Sequence, residues 1–302
     1  MELSEIISRL ENNYGRLPRD ALERAIEEKE AITPLLLEIL SDSRNNVEEI
    51  SNKPDYILYI CSFYLLAQFR EFQAYPLIID FVSILGKIPV SKTRDVLADD
   101  LPRMLASVCH GNIEPIKQLT ENTEIHQSIR NAGIESLIIL VIQGMIPREQ
   151  VIEYYKELFV KIYDSKLSVF QDKAEQYYIL GSLVMNSSMM APAELQQYIE
   201  KAFDDNLIRT LDFERQEFEE LLEIGPEAAL DVLRDDFHYS LIEDAISDIE
   251  STYFVTFPLK QTSNNLTVVQ GFSKSSNKSK TKSKQKKKTQ QESRRKNRSK
   301  KK

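Results

Sequence analysis

The sequence predicts an all-α protein, a solenoid of stacked helix pairs that ends in a disordered basic tail. Three observations predict it. Glycine is scarce, with 8 in 302 residues, while hydrophobic residues reach 42% and are rich in Leu, Ile and Ala, a balance that favours helix over sheet. Apolar residues recur at helical spacing almost throughout residues 1–257. A proline recurs near the start of every second helix over the middle of the chain.

Leu3, Ile6, Ile7 and Leu10 follow i, i+3, i+4, i+7 and define one face of a first helix. Ala21, Leu22, Ala25 and Ile26 mark a second. Thr33-Pro34 predicts the start of a third, because threonine caps free N–H groups and proline fits the first helical position. Ile57 to Phe69 is apolar nearly all round, so that helix should be covered on several sides.

From there the pattern is paired. Each second helix opens near a proline, at Pro76, Pro115, Pro147 and Pro192, at intervals of 39, 32 and 45 residues. The first helices are read at Ile57–Phe69, Leu101–Val108, Ile129–Ile142 and Ala174–Val184. An irregular period in this range, with two helices per unit, is that of a HEAT-like, right-handed α-solenoid. Repetition has a physical reason: one helix pair cannot bury its apolar stripe alone. A helix at Phe213–Leu222, another starting at Gly225-Pro226 and a last one at Phe237–Ile249 complete the body. Tyr253–Phe257 reads as polar and β-capable.

The net charge of −8 conceals two opposed parts. Residues 274–302 hold 15 Lys or Arg and a single acidic residue, a charge of +14 that leaves −22 on the remainder. The expected organisation is a helical repeat domain over 1–257, a linker over 258–273 and a tail over 274–302. The tail has no apolar residue and nothing to offset the entropy of ordering. Its cations, among them Lys278, Lys280, Lys282, Lys284, Lys286, Lys287, Lys288, Arg294, Arg295, Lys296 and Arg298, should attract a polyanion such as rRNA, with affinity falling as salt rises. No base-reading fold accompanies them, so sequence specificity is not expected. Folding back on the acidic body, improved solubility and contact with an anionic membrane surface are the competing readings.

The segments TPLLLEIL (33–40), YLLAQFREFQAYPLIIDF (64–81), DDLPRMLASVCHGNIEPIKQL (99–119), IRNAGIESLIILVIQGMIPREQVIEYYKELF (129–159) and YSLIEDAISDIE (239–250) resemble a bacterial family of unknown function, DUF1186. The resemblance covers about residues 1–257. It implies a HEAT-like helical fold and no activity. Many members carry a cysteine-rich SEC-C zinc motif after the helical part; this sequence has no cysteine beyond Cys109, and the Lys/Ser tail stands in that place.

Other candidates are weighed against simpler roles. Cys109-His110 with Cys61 matches no zinc spacing, and His110-Gly111-Asn112 reads as the turn that closes a helix. His238 lies among Asp235, Asp236, Glu243 and Asp244, a partner-binding acidic patch or a solvated helix face. Arg70, Arg103 and Arg130 are either inter-repeat ties to Asp or Glu, with Asp99-Asp100 as available partners, or anchors on the concave face. Arg130 precedes Asn131-Ala132 and resembles the arginine of the HEAT consensus.

No phosphate-cradling glycine loop, zinc-protease motif or nucleophile elbow is present. The expected function is a non-enzymatic scaffold for a protein partner, with an RNA- or ribosome-associated factor as the alternative. Among helical-repeat enzymes, a DNA glycosylase is disfavoured by the acidic body and the absence of Trp. A bilin lyase has no positive feature here. No cofactor, metal or small-molecule substrate is expected. Two cysteines and no apolar run of membrane-spanning length predict a cytoplasmic protein.

Overall fold

The computed structural model describes residues 1–12, 16–53, 55–89, 92–163, 173–208 and 213–256, with side chains for all of these except 92–96, 173 and 253–256. The chain divides into two units, Met1–Leu259 and Lys260–Lys302. The expected linker and tail lie outside the described residues.

The described residues form fifteen α-helices and no strand. An entry group comprises α1 (Leu3–Leu10), α2 (Arg19–Glu27), α3 (Lys29–Arg44) and α4 (Val47–Ser51). Four pairs follow: α5 (Leu58–Gln68) with α6 (Ala74–Leu85), α7 (Lys92–Val108) with α8 (Glu114–Glu121), α9 (Gln127–Ile142) with α10 (Arg148–Tyr163), and α11 (Lys173–Ser188) with α12 (Gln196–Asp204). The chain continues through α13 (Arg215–Ile224), α14 (Pro226–Arg234) and α15 (Ala245–Thr256).

The first helices of the pairs touch in succession, α5 on α7, α7 on α9 and α9 on α11. This row carries the core. Every residue of α5 from Leu58 to Ala67 is buried, because α1, α2, α3, α6, α7 and α15 all pack on it. Helix α9 is buried almost as completely. Its approach to α8 is close: a β-carbon at Gly133 would stand 2.3 Å from Thr120 Oγ1.

The turn that ends each first helix uses a left-handed residue. These are Arg70 (φ 58°), His110 and Gly111 (φ 48° and 80°), Gly144 (φ 67°) and Ala191 (φ 46°). Two of the turns close with the bond typical of a left-handed cap, Glu71 N–H to Leu66 O at 3.0 Å and Met145 N–H to Leu140 O at 2.9 Å. The proline that follows each turn then opens the second helix, within its first turn at Pro76 and Pro115, just before it at Pro147, and one 3-10 turn (Ala193–Leu195) before it at Pro192.

Several sequence boundaries are corrected. Helix α3 begins at Lys29, not at Thr33-Pro34. Pro34 lies inside it, where it leaves the Glu30 carbonyl without its helical donor, and Thr33 turns its hydroxyl back to Lys29 O at 2.7 Å. Helix α7 begins at Lys92, nine residues before Leu101, and carries Pro102 within it. Tyr253 to Thr256 are helical, as the end of α15.

The largest departure is at 237–249. A single helix is expected there, but only Phe237–Tyr239 form a 3-10 turn, and α15 starts at Ala245. The residues between them give their backbone groups to the first-helix row instead of to each other. Arg103 Nε donates to Ser240 O (3.1 Å), Arg103 Nη2 to Leu241 O (3.2 Å) and Arg70 Nη1 to Ile242 O (2.7 Å). Ile242 N–H donates to Ser107 Oγ and Ala245 N–H to Gln68 Oε1, both at 3.0 Å. Tertiary partners satisfy the groups that a helix would otherwise pair. Asp244 Oδ1 then caps α15 at the Ile246 and Ser247 N–H groups.

The C-terminal stretch therefore runs back along the row against chain order. Helix α14 and the 3-10 turn pack on α9, and α15 packs on α7, α5 and α2.

Candidate functional site

Two features of the first-helix row combine ionisable groups with burial: a charge cluster beneath the returning C-terminal stretch, and a groove between α9 and α11 that the described residues leave open.

Arg103 is the centre of the cluster and is 3% exposed. Its Nη1 donates to Asp100 Oδ1 at 3.0 Å and to Asp248 Oδ1 at 3.1 Å, and its Nη2 to Asp248 Oδ2 at 3.2 Å and Ser240 Oγ at 3.1 Å. Asp100 Oδ2 accepts from Tyr64 Oη (2.6 Å) and Thr252 Oγ1 (2.8 Å). The guanidinium lies 4.0 Å from the centre of the Phe237 ring, a cation–π contact. Burial pushes the Asp248 carboxyl up; the Arg103 bond pulls it down, and nearby Asp100 and Asp244 push it up again.

The other two arginines are also engaged. Arg70 binds Ala67 O, Ile242 O and Glu243, and burial holds its guanidinium below the usual value. Arg130, 2% exposed, donates to Thr120 O at 2.9 Å and pairs with Glu175 of α11. Arg130 is thus a tie between successive repeats. Arg103 ties the row to the C-terminal stretch, with Asp100 but not Asp99 as its partner. Neither presents a guanidinium to solvent.

Asp235, Asp236 and His238 are exposed. They stand on the segment around the 3-10 turn, not on a helix face. Asp236 Oδ1 caps that turn at the His238 N–H and lies 2.9 Å from His238 Nδ1. Burial pushes the Asp236 carboxyl up, but the two His238 contacts outweigh it and hold it low. Glu243 is drawn away to Arg70, and Asp244 is used as a helix cap.

The groove, of about 370 Å³, is lined by Asn131 and Glu135 of α9 and by Ala174, Tyr177, Tyr178, Gly181, Ser182 and Met185 of α11. The α11 set falls at i, i+3, i+4, i+7, i+8 and i+11, one face of a helix. The small residues Ala174, Gly181 and Ser182 open the space, and the tyrosines wall it. Asn131 Nδ2 donates to Glu135 Oε1 at 2.7 Å. Asn131 Oδ1 is enclosed and has no hydrogen-bond partner among the described residues.

Burial pushes the Glu135 carboxyl up; the Asn131 bond opposes this, Asp99 adds to it and His238 lowers it. The phenols of Tyr178 and Tyr239 are raised by burial and by nearby carboxylates that include Glu135. Asp99, Glu135, Tyr178, His238 and Tyr239 thus share one electrostatic neighbourhood. The candidate residues read from the sequence do not include this groove. The signal available was Asn131 and Glu135 at i, i+4, with Gly181-Ser182 on the same face as Tyr177-Tyr178.

Cys61 is fully enclosed, and burial pushes its thiol up to about 12; Cys109 is raised for the same reason. Neither is a poised nucleophile. His110 ties its turn to the preceding one, with Nε2 2.8 Å from Arg70 O. Among the described residues no group of three His, Cys, Asp or Glu could hold a metal ion, and no helix is long and apolar enough to cross a membrane. The tail cations from Lys278 to Arg298 lie outside the described residues.

The described residues thus form an all-helical protein of successive helix pairs whose C-terminal stretch returns along their first helices. The chain belongs to the family described as "Protein of unknown function (DUF1186)", whose model matches residues 1–256. It is 39% identical to an uncharacterized protein of Chlamydia trachomatis over 70% of this chain and 80% of that one. It is 34% identical to an uncharacterized protein of Chlamydia muridarum over 86% of this chain and the whole of that one. No solved structure matches.

Proposed function

We propose that this protein is a non-enzymatic interaction scaffold whose acidic helical body binds a protein partner with a basic surface, while the tail over 274–302 contacts a polyanion. The observation that carries this reading is the part of the first-helix row that the described residues leave open. The chain's own C-terminal stretch already occupies α5, α7 and part of α9, and the groove that remains is lined by a carboxylate, two tyrosines and an amide. Outside the tail, the sequence carries a charge of −22, which attracts a cationic partner over long range.

The test is affinity purification of the full chain and of a chain ending at residue 273, each at low and high salt. Captured proteins are identified and then reconstituted from purified components. The reading expects a basic protein that stays bound without the tail. If no purified protein binds the body directly, the reading fails.

The tail's 15 cations support a second reading, an RNA- or ribosome-associated factor held by the tail. In that case RNA is recovered with the full chain, is lost on removal of 274–302, and falls steeply with salt.

A further inference from the structure

We propose that the groove between α9 and α11 receives the side chain of an arginine presented by a basic protein segment. This deepens the scaffold reading and rests on it. Three observations converge. Glu135 supplies a negative charge, and among the described residues its carboxylate accepts one side-chain hydrogen bond, from Asn131. A ligand that answers it carries a positive charge. The walls are aromatic, and Tyr178 is 44% exposed, so a planar cation can slide against its ring. The volume of about 370 Å³ is at the small end of ligand sites, room for one side chain and not for a folded element.

The row already shows this mode of recognition with its own chain. The Arg103 guanidinium is held by carboxylates on one side and the Phe237 ring on the other. In the groove the receptor groups are the Glu135 carboxylate and the exposed ring of Tyr178. Arginine suits this set better than a point-charge ammonium because its fork can place two N–H groups on one carboxylate while its face stacks. Asp99 and His238 also act on the site: Asp99 pushes the Glu135 carboxyl up and His238 lowers it.

The test uses the full chain labelled with ¹³C at the methionine methyl groups and titrated with the peptide acetyl-Gly-Arg-Gly amide. Met185 lines the groove, whereas Met104 is buried in α7. The expected result is a saturable shift of the Met185 methyl with Met104 unmoved. The citrulline peptide, which keeps the shape and loses the charge, should fail to saturate the shift. Glu135→Gln should weaken binding at least tenfold, and Glu48→Gln, an equal loss of charge on exposed α4, should change it less than twofold. Equal binding of the citrulline peptide overturns the proposal on the unaltered chain, whatever the variants do. Equal effects of the two substitutions overturn it as well, because they reduce the interaction to general attraction. If a purified partner binds the body as tightly with Glu135→Gln as without it, the groove assignment fails while the scaffold reading stands.

Discussion

Asp248 and Arg103 are 145 residues apart in sequence, yet Asp248 Oδ1 lies 3.1 Å from Arg103 Nη1 in a place that water does not reach. This contact pins the last described helix to the middle of the repeat row. It also decides which part of the row is left for anything else, since the residues that lead into α15 cover α7 and reach α5. Its energetic consequence follows from burial. An ion pair of this kind adds little over well-packed apolar residues, but removal of one member strands the other.

Arg103→Ala should therefore destabilise the body by about 3–5 kcal/mol, since it leaves Asp100 and Asp248 facing each other and frees the Ser240 and Leu241 carbonyls. Asp248→Asn should cost less, because Arg103 keeps Asp100. Urea denaturation of both variants measures the difference, and a smaller loss for Arg103→Ala than for Asp248→Asn would contradict the arrangement.

Gly133→Ala should cost about 1–3 kcal/mol, the usual range for overpacking a close helix contact. The new methyl meets Thr120 Oγ1 at 2.3 Å. The double variant Thr120→Ala/Gly133→Ala should recover most of the loss, giving a coupling energy that a double-mutant cycle reads directly. Thr120→Ser keeps the offending oxygen and should recover little.

Glu135 makes stability depend on pH with a definite sign. Its native pKa is raised above the ordinary 4.5, mainly by burial, so the folded state holds the proton more tightly than the unfolded state does. The resulting stabilisation is complete below about 4.5 and is lost as pH rises through the raised native value. Denaturation midpoints of the wild type should thus fall relative to those of Glu135→Gln across that window. A difference that grows in the opposite direction would show that Glu135 gains a cationic partner on folding.

Cys61 should resist alkylation in the folded chain. Burial places its thiol at about 12, so little thiolate exists near neutral pH, and the side chain is enclosed by α5 and its neighbours. Iodoacetamide labelling followed by mass spectrometry should modify Cys61 only after denaturant is added.

The repeat row was legible in the sequence because its signals are local: helical spacing of apolar residues and a proline after each left-handed turn. His110-Gly111 was readable as a turn for the same reason. The start of α3 was misplaced because Thr33-Pro34 carries a strong start signal that tertiary packing overrides, with Ile32 and Leu36 buried on either side of it. The break at 240–244 was not legible, since the groups that replace its helical bonds come from Gln68, Arg70, Arg103 and Ser107, more than a hundred residues earlier. The groove was missed on the same grounds. Asn131 and Glu135 look like ordinary polar positions until α11 brings Tyr177, Tyr178 and three small residues against them.

The most direct test of the central claim is amide hydrogen exchange of the full chain, free and bound to the basic partner recovered by affinity purification. Binding should slow exchange in α9 and α11 and leave residues 240–252 as protected as they are in the free chain. Faster exchange at 240–252, or new protection in α5 and α7, would show that the partner displaces the C-terminal stretch and uses the other half of the row.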